Sequence, residues 1–187
     1  MYLLDIETLD LGADVRAVGL DLVEADENRE PVRGTDAARI WSRVLSAMAG
    51  EKAWALDFFS HVDRVRDFCE RHQIAFREAS QRSIVIPAPE AAALESLIDR
   101  FQNETFGARA GGPVNGDAGT DSALEGELAR RGVDAYHQAF ARYLFCAICG
   151  FEDGSLVLLS EKIGAGEVIR RVRPVLQGLG VEIHLPA

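Results

Sequence analysis

Apolar residues change their spacing several times along this chain, and that alternation restricts the fold more than any other feature. Val18, Leu20 and Leu22 recur at every second position with Arg16 and Glu24 flanking them, so Val15 to Ala25 has the period of a half-buried strand. Tyr2 to Glu7 is the expected partner strand. The spacing then lengthens, and Ile40, Trp41, Val44, Leu45 and Met48 fall on one side of a helix that Thr35 or Asp36 is placed to cap and Gly50 to stop. A one-sided sheet and a striped helix each need something to cover the apolar side, so the opening segment predicts helix packed on sheet.

The same reading continues downstream. Lys52 to Phe59 fits strand or helix, with strand preferred, and Ser60 with Asp63 reads as a capping pair for a helix carrying Val62, Val65, Phe68 and Cys69. Ile74 to Ser80 and Gln81 to Pro87 read as short strands, and Pro89 opens a helix with Leu94, Leu97, Ile98 and Phe101 inward. Gly107 to Thr120 is rich in glycine and poor in large apolar side chains, the composition of a linker or mobile loop. Beyond it, Ser122 and Glu125 form a capping box for a helix disturbed at Gly132 and resumed through Tyr136 and Phe140. Arg142 to Phe151 and Ser155 to Ser160 flank Asp153-Gly154, a hairpin signal. The helix expected over Glu167 to Leu179 contains Pro174, which should kink or shorten it, and Val181 to Leu185 closes the chain as a strand.

These elements predict an α+β fold with antiparallel or mixed sheets and helices packed on one face. Ile74 to Phe101 and Tyr143 to Leu176 share the order strand, turn, strand, helix, so a finer reading divides the fold into two ferredoxin-like, split β-α-β halves. Residues 1–106 form the N-terminal half on this reading, 107–120 the linker or loop, and 121–187 the C-terminal half. One compact domain overall is the alternative.

Composition narrows the function. With 187 residues, 48% of them apolar, the chain can build a core without disulfide staples. A net charge of -10 repels phosphate backbones and anionic lipid, which argues against nucleic acid as a partner. Three cysteines do not make a secreted disulfide framework, and Met1 to Glu7 has neither the basic nor the long apolar segment of a signal peptide, so a soluble cytoplasmic protein is expected. Tyr143 to Cys149, the longest apolar run, falls far short of the roughly 20 residues that span a bilayer.

Three patterns bear on chemistry. Asp5-Ile6-Glu7 puts two carboxylates on one side of a strand, where they could share a divalent ion such as magnesium. The triplet resembles the first motif of the Asp-Glu-Asp-Asp family of 3′ exonucleases, a resemblance that implies two-metal phosphodiester hydrolysis and two further aspartates. The family's His or Tyr, four or five residues before the last aspartate, has no counterpart here, so only Asp5 and Glu7 carry over. The second pattern is Cys69-x-x-His72 with Cys146-x-x-Cys149, a nominal zinc set of three cysteines and a histidine. On a regular strand Cys146 and Cys149 point to opposite faces and cannot share an ion, so this set is expected to be core thiols. Third, His61-x-Asp63 together with Cys146-x-x-Cys149 resembles the zinc deaminases, though aspartate stands where that family has glutamate and the proline before its cysteines is missing.

The resulting expectation is a non-catalytic interaction or regulatory protein that binds a protein partner or a small ligand, with homo-oligomer formation included, and needs no cofactor or metal. The alternative is a metal-dependent hydrolase or nuclease using Asp5 and Glu7, with Asp57 or Asp63 supplying further carboxylates.

Overall fold

The computed structural model describes residues 1–11, 16–112 and 122–185. Tyr2–Asp10 (β1) and Arg16–Glu24 (β2) pair antiparallel, with Leu4 opposite Leu22 and Ile6 opposite Leu20. Gly34–Ala49 (α1) covers that apolar side through Ile40, Trp41, Val44, Leu45 and Met48. The chain then runs through Trp54–Phe58 (β3), Val62–His72 (α2), Arg77–Ser80 (β4), Ser83–Pro87 (β5), Ala91–Phe101 (α3) and Phe106–Ala110 (β6). Ser122–Arg131 (α4) and Tyr136–Ala139 (α5) precede Phe145–Gly150 (β7), Ser155–Ser160 (β8), Ala165–Leu176 (α6) and Val181–His184 (β9).

Among the described residues, nine strands join in one mixed sheet of order β4-β5-β3-β6-β7-β8-β2-β1-β9. Every pairing is antiparallel except that of β1 with the edge strand β9. Strand alternation sorts the side chains into two cores. On the first face, Leu4, Leu20, Leu56, Ile84, Ile86, Phe106, Phe145, Cys149 and Leu156 meet α1, α2, α3 and α6. On the second, Ala17, Ala55, Val85, Cys146 and Leu159 meet Leu128 of α4 and Tyr136 and Ala139 of α5. Helices therefore cover both faces, not one as expected, because α4 and α5, which lie between β6 and β7 in the chain, pack on the second face. No helix among the described residues is long and apolar enough to cross a membrane.

Other local expectations are also corrected. The stretch expected to be a loop begins as a strand: Phe106–Ala110 is buried at every residue in mid-sheet, while residues 113–120 lie outside the described residues. Helix α1 starts from Arg33 and α2 from His61, neither with a side-chain cap. Asp36 instead accepts a hydrogen bond from Tyr2 Oη at 2.7 Å, and Ser60 Oγ donates to Glu104 at 3.4 Å. The capping box of Ser122 and Glu125 lies outside the described side chains. Pro174 sits so close to the end of α6 that the helix passes it and stops at Leu176. The Asp153-Gly154 turn is present, with Gly154 in the left-handed region at φ 69°.

Candidate functional site

The second face of the sheet is sealed unevenly. Helices α4 and α5 lie over β3, β5, β6 and β7, and the cover reaches Ala17 and Leu159. Toward β1 and β9 the same face carries Leu3, Asp5, Glu7, Asp21, Val23, Glu182 and His184, which are half-buried or exposed. Asp5 stands directly opposite Asp21 across the β1–β2 pair, and Glu7 opposite Gly19. Burial, then the nearby Glu7 and Asp5 carboxylates, hold the Asp21 carboxyl above the usual aspartate range. Asp5 is compensated from two sides: Arg29 forms an ion pair with it, and His184 Nδ1 lies 2.7 Å from its Oδ1.

The further carboxylates expected for metal chemistry do not join this group. Asp57 on β3 is five strand steps from β1 in the sheet order, about 24 Å at ordinary strand spacing. Asp63 projects from α2 into solvent and pairs with Arg66 at 2.5 Å. Among the described residues, no three His, Cys, Asp or Glu side chains converge as a metal-binding group.

The sulfur set is dispersed as well. Cys146 belongs to the second-face core and Cys149 to the first, so the two point away from each other across β7, as a period of two requires. Cys69 is buried on α2, whereas His72 is exposed and packs on Phe68 with ring centroids 4.2 Å apart. Burial pushes the Cys69 thiol up to about 11 and the Cys149 thiol higher still, which keeps both protonated and poor ligands or nucleophiles. His61 pairs with Glu104 at 3.4 Å rather than facing any cysteine.

The structure also contains a constellation that was invisible in the sequence. Arg109 on β6 grips Asp57 on β3 through two hydrogen bonds, Nε to Oδ2 at 3.0 Å and Nη2 to Oδ1 at 3.1 Å, with both residues no more than 1% exposed. Tyr136 Oη donates to Asp57 Oδ2 at 2.5 Å, and Arg109 Nη1 donates to Tyr143 Oη at 3.1 Å. Burial opposes the charge on Arg109, but Asp57 and the flanking tyrosines outweigh it, and the guanidinium stays charged. Burial and then the Asp57 carboxylate raise Tyr136 well above the ordinary phenol value. Among the described residues, this buried bidentate pair and its tyrosine partners tie α5 and the segment before β7 to β3 and β6 of the sheet.

No family model, no curated protein and no solved structure matches the chain.

Proposed function

We propose that this chain is a non-catalytic interaction or regulatory protein whose open sheet end, over β1 and β2, receives a partner. The observation that carries this reading is the contrast within one face: sealed by α4 and α5 over its middle, it is left uncovered, among the described residues, where Leu3, Asp5, Glu7, Asp21 and Val23 lie. Partly exposed apolar residues beside carboxylates favour a protein segment that brings arginine or lysine together with aliphatic contacts.

Strand order β4-β5-β3-β6, with α2 and α3 on one side, supports one split β-α-β unit contained within residues 54–110. Strands β2, β7, β8 and β9 with α1 and α6 support a second, with β1 inserted between β2 and β9. On this reading the first unit is an insertion within the second, which differs from a division into 1–106 and 121–187.

Selection of basic peptides of about ten residues against the full chain, followed by amide hydrogen exchange, tests the proposal. Expected are binders that protect Leu3 to Leu9 and Asp21 to Val23 and weaken in Asp5→Asn with Glu7→Gln. Protection confined to other elements would overturn the reading. So would divalent-dependent cleavage of a single-stranded oligonucleotide that disappears in Asp5→Asn.

A further inference from the structure

Strand β9 ends the sheet, and its outer main-chain groups have no strand beside them among the described residues. The Tyr2 amide donates to the Gly180 carbonyl at 2.8 Å, and Tyr2 is in register with Val181. In a parallel ladder that phase turns the main-chain groups of Glu182 and His184 toward β1 and those of Val181 and Ile183 outward. Any strand added at this edge must therefore bond to Val181, Ile183 and, where the extended chain continues, Leu185.

The side chains around Ile183 run Val181, Glu182, Ile183, His184, Leu185: apolar, acidic, apolar, basic, apolar. Read in reverse, the charged positions exchange. We propose that β9 pairs antiparallel with β9 of a second copy of this chain, about a two-fold axis at Ile183. Ile183 then bonds to its own counterpart, Val181 to Leu185, and Glu182 faces His184 of the second copy at the closer, non-hydrogen-bonded spacing, twice per pair. Only registers that match outward-facing residues are open. Shifting the axis to residue 182 sets glutamate against glutamate, and shifting it to 184 sets histidine against histidine, so charge selects the register centred on Ile183.

Two further observations fit the same occupant. Leu185 is 56% exposed, one of three large apolar side chains so placed among the described residues. Beside Val181 lies a groove of about 320 Å³ lined by Arg173, Leu176, Gln177, Val181, Glu182 and Ile183. Alternation puts Leu185 on the same face as Val181 and Ile183, so pairing carries Leu185 of each copy toward this groove on the other. His184 keeps its contact with Asp5 while gaining a second carboxylate. An unguarded edge strand is otherwise open to indiscriminate pairing, and a self-complementary one closes after a single addition.

The proposal extends the interaction reading from the open face to the edge and can fail separately from it. Sedimentation of the full chain is expected to show a concentration-dependent dimer, weakened about tenfold in Glu182→Lys and in His184→Glu. Mixing these two variants should restore association, because the introduced lysine of one then faces the introduced glutamate of the other. Circular dichroism verifies that each is folded, and Ile183→Cys gives an independent reading: it should form a disulfide-linked dimer on mild oxidation, the native thiols being buried. A monomer at about 100 μM, or a dimer indifferent to both charge changes, would overturn the pairing while leaving the open-face proposal to its own peptide test.

Discussion

At the scale of single residues, the most consequential side chain is Arg109, which the sequence presents as one cation among small residues and the structure places at the centre of a dry network. Removing one member of a buried ion pair leaves the other uncompensated, at a cost of about 3 to 5 kcal/mol. Arg109→Met is therefore expected to destabilise by that amount in urea unfolding. Arg109→Met with Asp57→Leu should recover much of the loss, and a double variant no better than the single would show that the pair is not coupled. The cysteines make a weaker demand. As packed thiols on opposite sides of β7, Cys146→Ala and Cys149→Ala should each cost about 1 to 2 kcal/mol, with no change on adding a chelator. Chelator-dependent unfolding of the natural protein would refute the core-thiol assignment.

Among the elements, β6 shows why part of the fold was illegible. A built Cβ on Gly107 would lie 2.1 Å from Tyr136 Oη and 2.2 Å from the ring, so glycine there makes room for the tyrosine that bonds Asp57. The glycine and the alanines beside it satisfy tertiary contacts, and in doing so they remove the β-branched signature by which a strand is recognised. Gly107→Ala is expected to cost 3 kcal/mol or more, in the upper part of the overpacking range or beyond it, and to lower tyrosine burial in near-ultraviolet circular dichroism. An unchanged melting temperature would contradict the packing described. By contrast, β1, β2, α1, α3 and β9 were readable because their apolar periods coincide with the faces they bury. Asp5 and Glu7 were legible as neighbours on one strand face. The placement of Asp5 beside Asp21, Arg29 and His184 was not, since it depends on which strands become adjacent.

Helix α6 adds an acid-sensitive tie. Glu167 accepts hydrogen bonds from Arg170 and Arg171, while Arg171 Nη1 also donates to the Met48 carbonyl at the end of α1. Those arginines hold the Glu167 carboxyl down to about 2, from an ordinary 4.5. A depressed folded-state pKa contributes stability above the ordinary value and loses it as pH falls through the lower one. Glu167→Gln should therefore flatten part of the stability decline between about pH 4.5 and 2. Parallel acid-unfolding curves for the variant and the natural protein would argue against the tie, which is modest because Glu167 is only half-buried.

For the whole molecule, one sheet carries two kinds of second face: a middle sealed by α4 and α5 and fastened by Asp57 and Arg109, and, among the described residues, an open end lined with carboxylates and finished by the edge strand β9. The buried charge fixes a layer, and on the proposed function the exposed charge serves recognition. The central claim is that Asp5 and Glu7 serve a partner rather than a metal ion, and titration calorimetry of the full chain with magnesium and manganese tests it most directly. The account predicts no saturable binding tighter than about millimolar, with identical traces for Asp5→Ala. Micromolar binding of either ion that vanishes in Asp5→Ala would contradict it and put the hydrolase reading in its place.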